Sequence, residues 1–386
     1  MLIREIRVEP LSSPRNYAFH FSVWIYPWTV RNSLQEFQQQ LTGGVSLTDV
    51  QAVTAVEELV REDISAEVKA DFLTALAKKG ETVEVIAAFA QALRDKSILP
   101  PLDAETRSRE ILDVCGTGGD HLKTFNISTT VALVVAAAGV TVAKHGNRAI
   151  TSQSGSADVL EALGIRVDLS PEEAAVSLRD HHFAFLFAPK YHPAFKHLAL
   201  ARRLCAQRGQ RTIFNLLGPL LNPARPTAQL IGVPRPEFCE PLARVLQTLG
   251  IRRGMVVSGK IPKDANDPQS ADAYLDELSI FGENFIAEFF QERGFSCSTL
   301  LPENFGIQAG KLSDLAGGDA KENAEITRRI LRGDERGPKR DAVLLNAAAA
   351  LFVANKVKSM GDGWSLAEQT IDSGQATLKI KALADR

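Results

Sequence analysis

The sequence predicts an α/β protein: a small N-terminal all-helical domain, then a large α/β domain with a mainly parallel central sheet flanked by helices. Three observations predict it. Residues 33–98 show apolar positions at helical spacing throughout. From residue 110 onward, short apolar runs alternate with helical segments, which implies right-handed crossovers and parallel strands. Between them, "ILPPLDAETRSRE" (98–110) carries a Pro-Pro pair followed by charge and reads as a linker.

The elements follow in order. Residues 1–33 are read as an extension. Its apolar stretch "YAFHFSVWIYPWTV" (17–30) is too short to span a bilayer and contains His20 and Pro27. A helical domain is expected over 34–100. In "SLTDVQAVTAVEELVRE" Ser46 is the expected N-cap; "SAEVKADFLTALAKKG" should end at Gly80, and "TVEVIAAFAQALRDKS" should start from Thr82. An α/β domain is expected over 108–386. It opens with strand "EILDVCG", a helix from about Ser128, strand "VTVAKHG" and helix "SADVLEALG". "FAFLFAP" and "RGMVVSG" read as strands, "EPLARVLQTLG" and "DAVLLNAAAALFVANKV" as helices, and residues 281–300 as added antiparallel strands.

Composition narrows the function. The 386 residues carry a net charge of −2, which argues against nucleic acid or an anionic membrane as partner. Cys115, Cys205, Cys239 and Cys297 are scattered without CxxC spacing, as expected for reduced thiols in a cytoplasmic protein.

Two loops carry chemistry. "DVCGTGGDHLKTFNISTT" (113–130) sits between a strand and a helix, where open α/β sheets bind ligands. Gly116, Gly118 and Gly119 let the backbone turn tightly and approach a ligand. The following helix start favours an anion, and Asn126, Ser128 and Thr129 add polar groups there. The alternative is a glycine turn with plain N-capping by Ser128 or Thr129. The second loop, "AKHGNRAITSQSGSADVLEALG" (143–164), supplies Lys144, His145, Asn147 and Arg148 with Ser152, Ser154 and Ser156. Two such loops on neighbouring strands can hold two ends of one polyphosphate.

"GTGGD", "FNISTT", "KHGNR" and "SGSADVLEALG", in this order and spacing, closely resemble the anthranilate phosphoribosyltransferase family. The likeness continues in "LFAPKYHPAFKH", "RTIFNLLGPLLNPA" and "LDELS" and runs from about residue 34 to the C-terminus. The resemblance implies a homodimer whose helical domain is completed by helices within about 192–212. It implies transfer of phosphoribosyl from phosphoribosyl pyrophosphate (PRPP) to the amine of anthranilate. By the same resemblance, PRPP contacts fall on Gly116, Gly119, Asp120, Thr124, Asn126, Ile127, Ser128 and Thr129. They continue through Lys144, His145, Gly146, Asn147, Arg148, Ala149, Ile150, Thr151, Ser152 and Ser156. Gly116, Asn147 and Arg202 are implied for anthranilate, where arginine offers a two-pronged grip on its carboxylate.

Asp276 and Glu277 in "YLDELS" would ordinarily be a solvated pair. The resemblance makes them, with Ser128, the ligands of Mg²⁺, two ions per site. This suits an ion that binds through phosphates plus one or two carboxylates. His145 is a candidate general base. His192 and His197 lack a third ligand in the sequence and are not read as a metal site. Arg203, Arg208 and Arg211 are read as a solvated face. Two departures stand out: a longer link "CAQRGQ" (205–210), and a polar insertion between Ser258 and Asp276. Pyrimidine nucleoside phosphorylases share a similar fold but lack "GTGGD" followed by "NIST".

Overall fold

The computed structural model describes residues 33–149, 153–263, 272–291, 294–307 and 310–385. The expected extension before Ser33, the residues Ile150, Thr151 and Ser152, and part of the polar insertion (264–271) lie outside the described residues.

The chain opens with α1 (Ser33–Thr42), α2 (Asp49–Leu59), α3 (Ala66–Lys79) and α4 (Val83–Arg94). Ser65 and Thr82 cap α3 and α4 through their hydroxyls, and Gly80 ends α3 at φ +88°. The cap of α2 is Thr48, not Ser46. Thr48 makes a reciprocal capping box with Gln51, which satisfies two donors together, while the Ser46 carbonyl accepts from Gln40 instead. The segment read as a linker contains a short helix, α5 (Ala104–Ser108), because Asp103 caps it through Thr106.

The sheet is built from β1 (Ile111–Gly116), then α6 (Ile127–Ala137), β2 (Thr141–Gly146), α7 (Ser156–Ala162), α8 (Pro171–His181) and β3 (Phe183–Phe187). The chain then forms α9 (Ala188–Tyr191), α10 (Ala199–Gln207) and α11 (Phe214–Leu217). It returns through β4 (Ala228–Gly232), α12 (Cys239–Thr248), β5 (Arg253–Ile261), β6 (Ala273–Leu275), β7 (Asn284–Phe290) and β8 (Gly294–Leu300). Four helices close it: α13 (Ala320–Arg332), α14 (Pro338–Val353), α15 (Met360–Asp372) and α16 (Gln375–Ala384). The strand order is β3-β2-β1-β4-β5-β7-β8, with β6 beside β5. The strands β3, β2, β1, β4 and β5 run parallel, while β6, β7 and β8 pair antiparallel. Among these parallel strands β1 is central, and the chain moves from it to β2 on one side and later to β4 on the other. Its carboxyl end is therefore a topological switch point, where ligands bind in open α/β sheets.

β1 and β2 are buried along all but their last residue, as parallel strands covered by helices must be, and they carry the buried polar groups Asp113, Lys144 and His145 toward their carboxyl ends. One core packs the sheet against α6 and α14. A second joins Leu34, Val56, Phe72 and Phe89 of the N-terminal helices to Leu198, Leu217 and Leu246, and to Val256 and Phe289 of the sheet. Helix α3 packs on α10.

Candidate active site

The loop after β1 is wound by positive φ angles at Gly118 (+74°), Gly119 (+86°), His121 (+59°) and Lys123 (+56°). Repeated left-handed residues curl the backbone into a concavity suited to an anion. Helix α6 starts without a side-chain cap. Asn126, at the cap position, instead donates to the Ser154 carbonyl and accepts from Asn323. The N–H groups of the first turn are thus not consumed by capping from Ser128 or Thr129. The Thr129 hydroxyl is buried with no hydrogen-bond partner among the described residues. At the start of α6 that hydroxyl is available to a bound group.

Lys144, only 2% exposed, donates from its Nζ to the Val114 carbonyl (2.7 Å) and to the Ser128 Oγ (3.3 Å). It ties β2 to both ends of the first loop and places a cation beside the acidic pair. The second loop folds back on α7: the Asp158 carboxylate accepts the N–H groups of Ala149 and Gly155, each at 2.9 Å. Arg148, implied as a phosphate contact, pairs here with two carboxylates of α7. Its guanidinium makes a two-pronged contact with Glu161 (2.5 and 2.7 Å) and reaches Asp158 at 3.1 Å.

Asp276 and Glu277 follow β6 in a bend, so their carboxylates turn toward one region rather than to opposite faces. Asp276 accepts the Gly118 N–H at 2.7 Å. Burial, then the neighbouring Asp120, raises its pKa. Burial, then Asp276, raises that of Glu277; Lys144 and the Ser128 N–H oppose the shift. Carboxylates crowded in this way, with one lysine to offset them, suit a hard divalent cation. Among the described residues no group of three or more His, Cys, Asp or Glu side chains forms a metal cage. The oxygen donors present, Asp276, Glu277 and Ser128, therefore fit Mg²⁺ shared with phosphates better than a cation held by protein alone.

Sequence reading missed what holds this pair. Asn346, fully buried in the Ala-rich helix α14, accepts the Leu278 N–H and donates to the Leu278 carbonyl, both at 2.9 Å. Asn284 does the same for Ser279, at 2.6 and 2.9 Å. The one signal in the sequence is a lone amide inside an apolar run. Replacing Asn346 by Ala leaves both Leu278 groups buried and unpaired. It is expected to cost about 1–3 kcal/mol, read from the urea midpoint.

Beside the phosphate loops lies a cavity of about 680 Å³ lined by Gly116, Asn147, His192, Phe195, Arg202 and Phe214, among others. The Arg202 guanidinium sits 5.4 Å from the Phe214 ring, and the concave wall lowers its pKa by desolvation although much of its side chain is accessible. His145 is a weaker base than the sequence suggests: burial, then the neighbouring His192, lowers its pKa to about 3. The His145 backbone N–H and the Asn222 side-chain amide both donate to buried Asp113, whose carboxyl burial raises to about 6. Asp113 thereby joins both loops to the "LLGPLLNPA" wall. Arg208 pairs with Asp71. Arg211 instead reaches the glycine loop, its Nη2 lying 3.6 Å from where a Cβ on Gly119 would stand.

The two-part architecture, a helical bundle and an α/β sheet, is the one that two models of the glycosyl transferase family describe, and it places the chain in that class. Residues 35–97 match the model of the glycosyl transferase family helical bundle domain, and residues 108–377 that of its a/b domain. The anthranilate phosphoribosyltransferase of Symbiobacterium thermophilum is 46% identical over 90% of this chain and 96% of its own length. That of Petrotoga mobilis is 43% identical over 90% and 95%. The crystal structure of the Thermus thermophilus enzyme superposes with a TM-score of 0.79 at 39% identity, covering 90% of this chain and 98% of that one. The Saccharomyces cerevisiae enzyme, in complex with PRPP and Mg, gives 0.79 at 27% identity over 92% and 98%. The chain belongs to the anthranilate phosphoribosyltransferases.

Proposed function

We propose that the chain transfers the phosphoribosyl group of PRPP to the amine of anthranilate and releases pyrophosphate, as a homodimer in the cytoplasm. One observation carries this reading: Gly116 lies at once against the Asp276 carboxylate and in the wall of the cavity that holds Arg202. A donor and an acceptor bound on its two sides would meet there.

In this reading the loop 116–129, with Lys144, Gly146, Asn147 and Ser156, embraces PRPP. Arg202 grips the anthranilate carboxylate, with Asn147 at the ring. Asp276, Glu277 and Ser128 would hold two Mg²⁺ ions. When bound, these ions supply positive charge against the pyrophosphate as it leaves. The aniline nitrogen is neutral at pH 7 and attacks C1′ without prior deprotonation. The protein's work is then positioning and exclusion of water, and neutral His145 need not act as a base.

The test follows anthranilate fluorescence over time. Loss of signal should require protein, PRPP and Mg²⁺ together; no loss, with PRPP still bound, would overturn the acceptor. Arg202→Ala should raise KM for anthranilate about 10–100-fold, the worth of a charged hydrogen-bonded contact. KM for PRPP should stay within about twofold in the same steady-state assay.

A further inference from the structure

The link between α10 and α11 brings a cation to the glycine loop. Helix α10 ends in a tight turn: the Gln210 N–H reaches back to the Cys205 carbonyl at 2.9 Å, and the Gly209 N–H to that of Ala206 at 3.0 Å. Gly209 takes φ +66° to allow it. This pair of bonds is a Schellman stop, which fixes the direction in which a chain leaves a helix. The long stretch "CAQRGQ" (205–210) is what forms it. Just beyond, Thr212 and Ile213 are buried, and the Thr212 N–H donates to the Asn215 side chain at 2.9 Å. Arg211 stands exposed between these two anchors, so its backbone is set.

Its guanidinium lies over the phosphate loop. The space above Gly118 is open. Above Gly119, sequence neighbours aside, the one described atom within 4 Å of a Cβ position is Arg211 Nη2, at 3.6 Å. Among the described residues the Arg211 guanidinium makes no hydrogen bond or ion pair; only its backbone carbonyl is engaged, by Gln210. Arg208 of the same link pairs with Asp71 instead.

Charge gives this cation a task. Asp120, Asp276 and Glu277 crowd this end of the loop, and Lys144 offsets them from beneath. A diphosphate brought here adds further negative charge, and a cation over Gly119 meets it from the solvent side. Arginine suits the task, since its planar fork matches phosphate oxygens in pairs.

We propose that Arg211 is a further donor-binding residue, gripping the diphosphate of PRPP from the α10–α11 link while the glycine loop holds it from below. The proposal rests on the reading that this loop takes PRPP. One helix then serves both substrates, with Arg202 within α10 facing the acceptor and Arg211 just past its end facing the donor.

The probe is inorganic pyrophosphate with Mg²⁺, followed by calorimetry, which needs no turnover. Arg211→Gln should weaken its binding about tenfold, the worth of one charged hydrogen-bonded contact. Arg211→Lys should recover part of the loss, because it keeps the charge without the fork. In steady state Arg211→Gln should raise KM for PRPP by a similar factor and leave KM for anthranilate within about twofold. Its melting temperature should match the parent's, since an exposed side chain without a partner does not hold the fold. Arg208→Gln removes one positive charge from the same link and should leave pyrophosphate binding within about twofold. Unchanged pyrophosphate binding in Arg211→Gln, or an equal loss in Arg208→Gln, would overturn the proposal. A parent that binds pyrophosphate but consumes no anthranilate would defeat the functional reading, while the comparison with Arg211→Gln would still decide the role of this residue.

Discussion

Replacing Asp276 and Glu277 together by alanine is expected to remove Mg²⁺-dependent turnover, by about 10³-fold or more, while the protein stays folded. The catalytic loss follows from charge. Departing pyrophosphate needs cationic stabilisation, and losing even one such preorganised contact costs about 10²–10³-fold in enzymes. The stability outcome runs the other way. Burial raises both carboxyls above their ordinary range, helped by Asp120 at Asp276 and by Asp276 at Glu277. A carboxyl raised in the folded state binds protons there that the unfolded chain has lost. Its contribution to folding therefore falls as pH rises from the ordinary carboxylate range through the raised folded value. At pH 7.5 without divalent cation the double variant should melt no lower than the parent. Added Mg²⁺ should raise the parent's Tm and leave the variant's unchanged. A variant that keeps both turnover and the Mg²⁺-dependent rise would move the metal site away from this pair.

What the sequence makes legible here is local. Ser65, Gly80 and Thr82 act within a few residues of themselves, and each is found where its chemistry puts it. Even Thr48 displaces Ser46 by a local rule, since only Thr48 has Gln51 three residues on. The alternation of apolar runs and helical segments likewise delivers β1, β2, β3 and β5 near their observed bounds. The illegible parts depend on distant partners. Asn346 clamps a segment 68 residues away, and Asn222 meets Asp113 across 109. Arg148 reads as a phosphate cation in "KHGNR", and its pairing with Glu161 and Asp158 shows only in the fold. Arg211 is exposed, as a solvated arginine is expected to be, and only the fold shows that it also lies beside Gly119. In each case the residue type is suggestive, and its role is decided by a neighbour that periodicity and spacing do not reveal.

The glycines give the second large expected effect, because their reason is also distant. Gly116 and Gly232 are paired across β1 and β4, and both face Asp276. A Cβ on Gly116 would run into the Asp276 carboxyl group, with Cγ at 2.6 Å and the backbone oxygen at 3.1 Å. The side chain can swing away at the cost of its hydrogen bond to Gly118. A Cβ on Gly232 would instead collide with the Asp276 backbone itself, which cannot rotate aside. The two substitutions should therefore separate. Gly116→Ala should leave Tm nearly unchanged but lower kcat/KM about 10²-fold, the scale of an ångström-level misplacement at a reacting centre. Gly232→Ala should lose comparable activity and also about 1–3 kcal/mol of stability, as overpacking against fixed structure does. Thermal melts and steady-state kinetics on the two proteins check this. Equal melting temperatures would mean that the segment carrying the acidic pair yields more readily than its clamps at Asn346 and Asn284 suggest.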